Sequence, residues 1–221
     1  MRLTFFGHAC FGLETLGYRL VLDPFSPQIG YAPLATKADL VSISHENPKW
    51  HSDTASVGGE WTLYDALEHV GRGWDFDGIS LQSFPVFEDW PDDGEPTGPN
   101  AMVKITSENL RLLHMGDVGH SLGSDYIEAL GEIDVVFAPV GGSPTIELDD
   151  LNSFLEELNP RLVFPMHYMI EGLGMKLQPL DAFLDLWSGT VKRSATSDFQ
   201  LKMEDLPTET TLQILQPLRL K

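Results

Sequence analysis

Residues 40–53, LVSISHENPKWHSD, pass from an apolar alternation straight into histidines and polar residues. Val41 and Ile43 alternate with Ser42 and Ser44 at a period of two, the pattern of a half-buried strand. Pro48 then removes a ladder donor and stops the strand soon after His45. His45 is therefore predicted at the carboxyl end of a strand, where open α/β sheets bind their ligands.

Working outward from this stretch, residues 2–6, 10–16 and 18–23 read as three short strands, with Gly17 in the tight turn between the second and third, an antiparallel meander. A Pro- and Gly-containing loop at 26–37 leads back to the 39–44 strand. Beyond it, Trp61–Leu63 and Ile79–Phe84 read as strands separated by a Gly-rich turn, GRGWDFDG at 71–78. Residues 84–100, FPVFEDWPDDGEPTGPN, are dense in Pro, Gly and Asp and predict a long surface loop. Such loops are usually functional or mobile, which makes Phe87, Trp90 and the neighbouring acids a substrate rim or lid. An acidic insertion with its aromatics tucked onto the body reads equally well. A hairpin follows at 101–106 and 110–115 across Glu108-Asn109, ending in Gly116-Asp117. Then come a helix from Ser124, as its cap, to Leu130, an apolar strand at 135–140, and a helix whose Leu148, Leu151, Leu155 and Leu158 share one face until Asn159-Pro160 ends it. A strand at 162–164 delivers His167; a helix near 180–187 and a strand near 212–215 close the chain. No internal repeat is visible.

With 221 residues and 42% hydrophobic content the chain is long enough for one well-buried α/β domain over 1–221. Fourteen basic residues against thirty-three acidic ones, a net charge of −19, repel phosphate backbones and anionic membranes. Nucleic acid and membrane are excluded as partners, leaving a small-molecule ligand; the oligomeric state is not legible. The acidity fits a saline habitat or simple solubility. One cysteine, Cys10, rules out an intrachain disulfide and a Cys-rich zinc module, and reads as a small buried hydrophobe. No run reaches the ~18–20 apolar residues that span a bilayer, and the N-terminus has no secretory pattern, so a cytoplasmic protein is expected.

Four further runs, GHACF at 7–11, LVLDPF at 20–25, HMGDVGH at 114–120 and PMHY at 165–168, flank the 40–53 stretch in order. Together they resemble the metallo-β-lactamase superfamily, most of all its small Zn-dependent hydrolase branch with the L-ascorbate-6-phosphate lactonase relatives, and the likeness extends to LQPLDAFL at 177–184. The resemblance implies a four-layer αββα sandwich, two mixed sheets flanked by helices, with the site along one edge. It also implies two zinc ions that activate water and polarise the scissile group. One ion takes three histidines, the other an aspartate and two histidines, and a further aspartate bridges them.

The family's His-x-His-x-Asp-His run falls on His45-Glu46-Asn47-Pro48-Lys49-Trp50. Carried over position by position, one metal keeps only His45, because Asn47 and residues 85–87 are not histidine; the other keeps only His167, because Lys49 and Trp50 replace Asp and His; Asp117 remains as the bridge. The expectation is a degenerate site with no metal, or one weakly held divalent ion such as zinc, rather than a two-zinc centre. His51 is the first recruit for a single ion, through a one-residue shift of the Pro48 loop, ahead of Asn47, Glu46, Glu88 and Asp89. Lys49 is expected to stand in for the lost metal, its ammonium paired with Asp117 and the Trp50 indole filling the vacated volume. Lys49, Asp117 and His167 then form a candidate proton-transfer set. His8 either approaches the pocket without ligating or is a turn histidine bonded to backbone; Asn47, Trp50 and Phe87 line the pocket, and His120 supports it. The function implied is a non-catalytic, ligand-binding member, since no Gly-x-Ser-x-Gly motif replaces the metals. The alternative is a hydrolase of a small ester, lactone or phosphorylated metabolite using one metal or the Lys49/Asp117/His167 set.

Overall fold

The computed structural model describes residues 1–89 and 95–218. In chain order its strands are β1 (Arg2–Gly7), β2 (Cys10–Thr15), β3 (Tyr18–Leu22), β4 (Leu40–Ile43), β5 (Thr62–Asp65), β6 (Gly73–Phe76), β7 (Ile79–Asp89), β8 (Thr97–Ser107), β9 (Leu110–His114), β10 (Val135–Pro139), β11 (Leu162–Met166), β12 (Thr190–Arg193), β13 (Asp198–Gln200) and β14 (Thr211–Ile214). The α-helices are α1 (Ser124–Leu130), α2 (Leu148–Leu158) and α3 (Leu180–Leu184). No helix among the described residues is long and apolar enough to cross a membrane.

One sheet has the order β13-β1-β2-β3-β4-β5, the other β12-β14-β11-β10-β9-β8-β7-β6. In the first, β1, β2 and β3 form the antiparallel meander read from the sequence, and β3, β4 and β5 run parallel. Period-two alternation divides its side chains between two cores. Leu3, Phe5, Leu20, Leu22 and Leu40 belong to the main core, whereas Phe6, Val21, Val41 and Ile43 pack into a second one with Phe25, Ile29, Tyr31 and Trp50. In the second sheet β9, β10, β11, β14 and β12 run parallel, while β6 to β9 form an antiparallel meander. The three α-helices among the described residues lie in connections of this second sheet, and α2 is the crossover between the parallel neighbours β10 and β11. It buries Leu148, Leu151 and Leu155 of the predicted leucine face together with Phe154, while Leu158 is half-buried.

Two segments differ from expectation. GRGWDFDG is not a turn: residues 73–76 are β6, and the turn is Asp77-Gly78, both with positive φ, a pair that suits a tight hairpin. Residues 84–100 are largely the arms of the β7–β8 hairpin. Proline is tolerated there because Ala101, opposite Pro85, sends its N–H to Ser44 O rather than across the ladder. Pro85 therefore occupies a position where no ladder donor is needed. Trp90, expected on the rim, lies outside the described residues. Gly123, not Ser124, stands at the cap of α1. β12, exposed throughout, and β13, three residues long, carry no periodic signal and were not expected.

The carboxyl ends of β3, β4, β9 and β11 are followed by Asp23, His45, Asp117 and His167 respectively, and the β1–β2 turn carries His8. Both sheets thus send side chains to one edge.

Candidate metal centre

The loop after β4 decides which residue enters this edge. Asn47 O accepts the N–H groups of Trp50, His51 and Ser52 at 3.0, 2.8 and 2.9 Å, a tight turn that leaves Pro48 and Lys49 exposed and His51 fully buried. His51 Nδ1 lies 3.1 Å from Asp23 Oδ2, and its Nε2 lies 2.8 Å from Asp117 Oδ2.

Asp23 sets the tautomers around it. Its Oδ1 accepts Ser44 N at 2.8 Å and its Oδ2 accepts Ser44 Oγ–H at 2.6 Å. Ser44 has one hydroxyl proton, already given to Asp23, so at 3.0 Å its Oγ accepts from His45 Nδ1 and the lone pair of His45 is left on Nε2. His51 likewise donates Nδ1–H to Asp23 and turns Nε2 toward Asp117. These are the carboxylate–histidine and hydroxyl–histidine contacts that orient metal ligands. His114 accepts Gly116 N on Nδ1 at 3.2 Å and donates Nε2–H to Ala9 O at 2.8 Å, a supporting role behind Asp23.

The electrostatics follow from burying carboxylates among imidazoles. Burial alone would push His51 down, but Asp117 and Asp23 outweigh it and hold the ring up at about 10. Burial would raise Asp117, yet His167 and His51 keep it well below the usual carboxylate range. Burial lowers His8 and His45, and neighbouring histidines add to the effect.

His167 Nε2 lies 3.4 Å from Asp117 Oδ1, and the His8 ring centroid is 4.3 Å from that of His167. Two sets of three, His8/His51/His167 and His45/His51/Asp117, each offer ligand atoms within 4.8 Å of one another. Among the described residues, both ring nitrogens of His8 and His167, Nε2 of His45 and His51, and Oδ1 of Asp117 are buried without a hydrogen-bond partner. His51 Nε2 is at ion-pair distance from Asp117 but without hydrogen-bond geometry. Leaving such groups unsatisfied costs about 1–3 kcal/mol each, and a divalent cation satisfies several at once. The donor set, imidazole nitrogens plus carboxylate oxygen, fits such an ion. His8, Asp23 and His167 also hold φ of +51°, +43° and +52°. Non-glycine residues in this region cost about 1–3 kcal/mol each and cluster at functional sites.

Lys49 is not where the sequence reading put it. Its Nζ sits 4.9 Å over the Trp50 ring on the exposed side, and Asp117 pairs with His51 and His167 instead. The physical reason is the Asn47-centred turn, which winds Lys49 outward as it winds His51 in. Lys49→Ala should accordingly leave metal content unchanged and alter stability by no more than about 1 kcal/mol, the scale of an exposed cation–π contact; elemental analysis and urea melts check both.

Trp50 is buried with its ring 5.2 Å from His8, forming the floor. Asn47 acts through its backbone. Phe87 N donates to His120 Nε2 at 3.3 Å and His120 Nδ1–H to Ser121 O at 2.8 Å, so this pair braces the end of β7 rather than entering the cluster. Asp23 was missed as a site residue. The signal was a lone aspartate between two apolar runs in LVLDPF, a residue buried only when it has partners.

Comparison with known proteins agrees with this geometry. The family model described as "Beta-lactamase superfamily domain" matches residues 2–167. A metal-dependent hydrolase of Carboxydothermus hydrogenoformans is 27% identical over 195 residues, 76% of this chain and 84% of that one. A crystal structure from Thermotoga maritima, described as a candidate Zn-dependent hydrolase of the metallo-β-lactamase superfamily, is 30% identical with a TM-score of 0.77, covering 97% of this chain and 99% of that one. An isothiocyanate hydrolase from Delia radicum gut bacteria, at 16% identity and a TM-score of 0.62 over 84% of this chain and 91% of that one, shares the fold. With two facing mixed sheets and a His/Asp cluster where their strand ends meet, the chain belongs to the metallo-β-lactamase superfamily, in its family of metal-dependent hydrolases.

Proposed function

We propose that this protein is a hydrolase of a small ester, lactone or phosphorylated metabolite, working with a divalent metal held by His51 and Asp117 together with His167 or His45. The observation that carries this reading is the His51 bridge, with Asp23 at 3.1 Å on one ring nitrogen and Asp117 at 2.8 Å on the other. A cation bound there supplies Lewis-acid polarisation and a nucleophile drawn from water near neutral pH. The protein's own part is orientation: Asp23 holds His51 through Nδ1, Ser44 holds His45 through Nδ1, and the remaining ring nitrogens face Asp117 and Glu88. The site meets solvent at Asp117, whose side chain is 11% exposed, and at Glu88. A net charge of −19 favours small substrates over polyanionic chains.

A second reading, a member that binds a ligand without turning it over, is favoured by the near-complete burial of His8, His51 and His167. Turnover assays decide between the two. Metal-loaded wild type, supplied with Zn²⁺, Mn²⁺ or Fe²⁺, is expected to hydrolyse members of an ester, lactone and phosphoester panel. Asp117→Asn is expected to lose at least about 100-fold in kcat/KM, on the scale of removing one stabilising group from a reacting centre. No turnover of the panel by metal-loaded wild type would favour the binding-only reading.

A further inference from the structure

Glu88 lies near the end of β7, on the open side of His45, with Oε1 3.4 Å from His45 Nε2. That nitrogen is the one left with a lone pair once Ser44 has taken the ring's proton on Nδ1, and it is buried without a hydrogen-bond partner. A lone pair and a carboxylate oxygen therefore face each other with nothing to bond them directly. A separation of 3.4 Å is what two ligand atoms show around one cation, since metal–nitrogen and metal–oxygen bonds of about 2.0–2.2 Å put neighbouring ligand atoms a little over 3 Å apart.

The chain around Glu88 is built to put it there. Strand alternation along β7 buries Phe84 and Val86, and Glu88 follows on the same face. On the neighbouring strand Gly98 leaves the space the carboxylate uses, because a Cβ at that position would meet Glu88 Cβ, Cδ and Cγ at 2.8, 3.0 and 3.1 Å. On the other side Gly119 donates its N–H to Phe87 O at 2.8 Å and lies so close that a Cβ would meet Glu88 O at 1.6 Å. Two glycines, from β8 and from the loop that carries Asp117, thus frame one glutamate.

We infer that Glu88 is a metal ligand, paired with His45 on the outer side of the cluster and taking the part of the histidine absent from residues 85–87. The inference rests on the metal-binding reading above and extends it by one ligand and one consequence. A carboxylate in place of an imidazole makes this outer position harder, so it should favour Mn²⁺ or Fe²⁺ relative to Zn²⁺.

The test uses the full chain, stripped with chelator and titrated with Mn²⁺ alone or Zn²⁺ alone by calorimetry, with Mn²⁺ also followed by electron paramagnetic resonance. Glu88→Gln is nearly isosteric and Glu88 is partly exposed, so folding is expected to survive, which circular dichroism checks. Wild type should bind Mn²⁺ at the outer position, Glu88→Gln should weaken that binding at least about tenfold, and Glu88→His should recover binding with the preference moved toward Zn²⁺. Glu88→Gln binding Mn²⁺ as wild type does would overturn the inference, as would Glu88→His binding no more metal than Glu88→Gln, which would mean that Glu88 acts through charge alone. His51→Ala separates the two levels. Metal retained by His51→Ala sinks the underlying reading, whereas metal lost in His51→Ala but unaffected by Glu88→Gln sinks the Glu88 assignment alone.

Discussion

His51→Ala is expected to abolish metal binding at Asp117 and to lower stability by about 3–5 kcal/mol, the cost of breaking a buried charge pair from one side. His51 is fully buried and is the cation-bearing link between Asp23 and Asp117, both of which are themselves buried. Alanine leaves two carboxylates facing a void, with neither a ring proton nor a metal between them. Asp23 keeps its bonds from Ser44, so the greater damage falls on Asp117, whose remaining partner is His167 at 3.4 Å. Urea unfolding of chelator-treated protein reads the stability change and elemental analysis reads the metal. A His51→Ala chain as stable as wild type would mean that the bridge carries no charge.

Phe137→Ala is expected to cost about 3–5 kcal/mol, the range for removing a large aromatic from a closed core. Phe137 sits in β10, near the middle of the second sheet, with no exposed surface. Its ring centroid is 4.4 Å from Phe11 of the facing sheet, 5.8 Å from Phe164 on β11 and 6.0 Å from His114. The residue therefore joins the two sheets directly beneath the site. The urea midpoint should fall with the m-value unchanged; a loss under about 1 kcal/mol would contradict this packing.

Much of this architecture was legible because it rests on short-range patterns. The β1–β3 meander and β4 announce themselves by alternation, α2 by its leucine spacing, and His45, Asp117 and His167 by standing just after apolar strands. What was not legible depends on contacts distant in sequence or on the details of one turn. Whether Lys49 or His51 faces inward is decided by three N–H groups converging on Asn47 O, and residue types do not reveal that. The extension of β7 and β8 was hidden by Pro85 and Pro99, which read as loop residues until their positions on the ladder are known. Glu88, named from the sequence only as a later recruit for a single ion, continues the alternation Phe84, Val86, Glu88 along β7. His8, left open between pocket and turn, is buried, with its ring nitrogens unpartnered among the described residues while its carbonyl accepts His167 N at 2.9 Å.

The central claim is that the cluster is a metal centre built on His51 and Asp117, even though the family's histidine run is broken. Metal content settles it most directly, measured by inductively coupled plasma mass spectrometry on protein purified without chelator, with His51→Ala and Lys49→Ala prepared alongside. The account predicts at least about one divalent metal per chain in wild type and in Lys49→Ala, and none above background in His51→Ala. Wild type that stays empty after incubation with excess Zn²⁺ or Mn²⁺, or His51→Ala that holds as much metal as wild type, would contradict it.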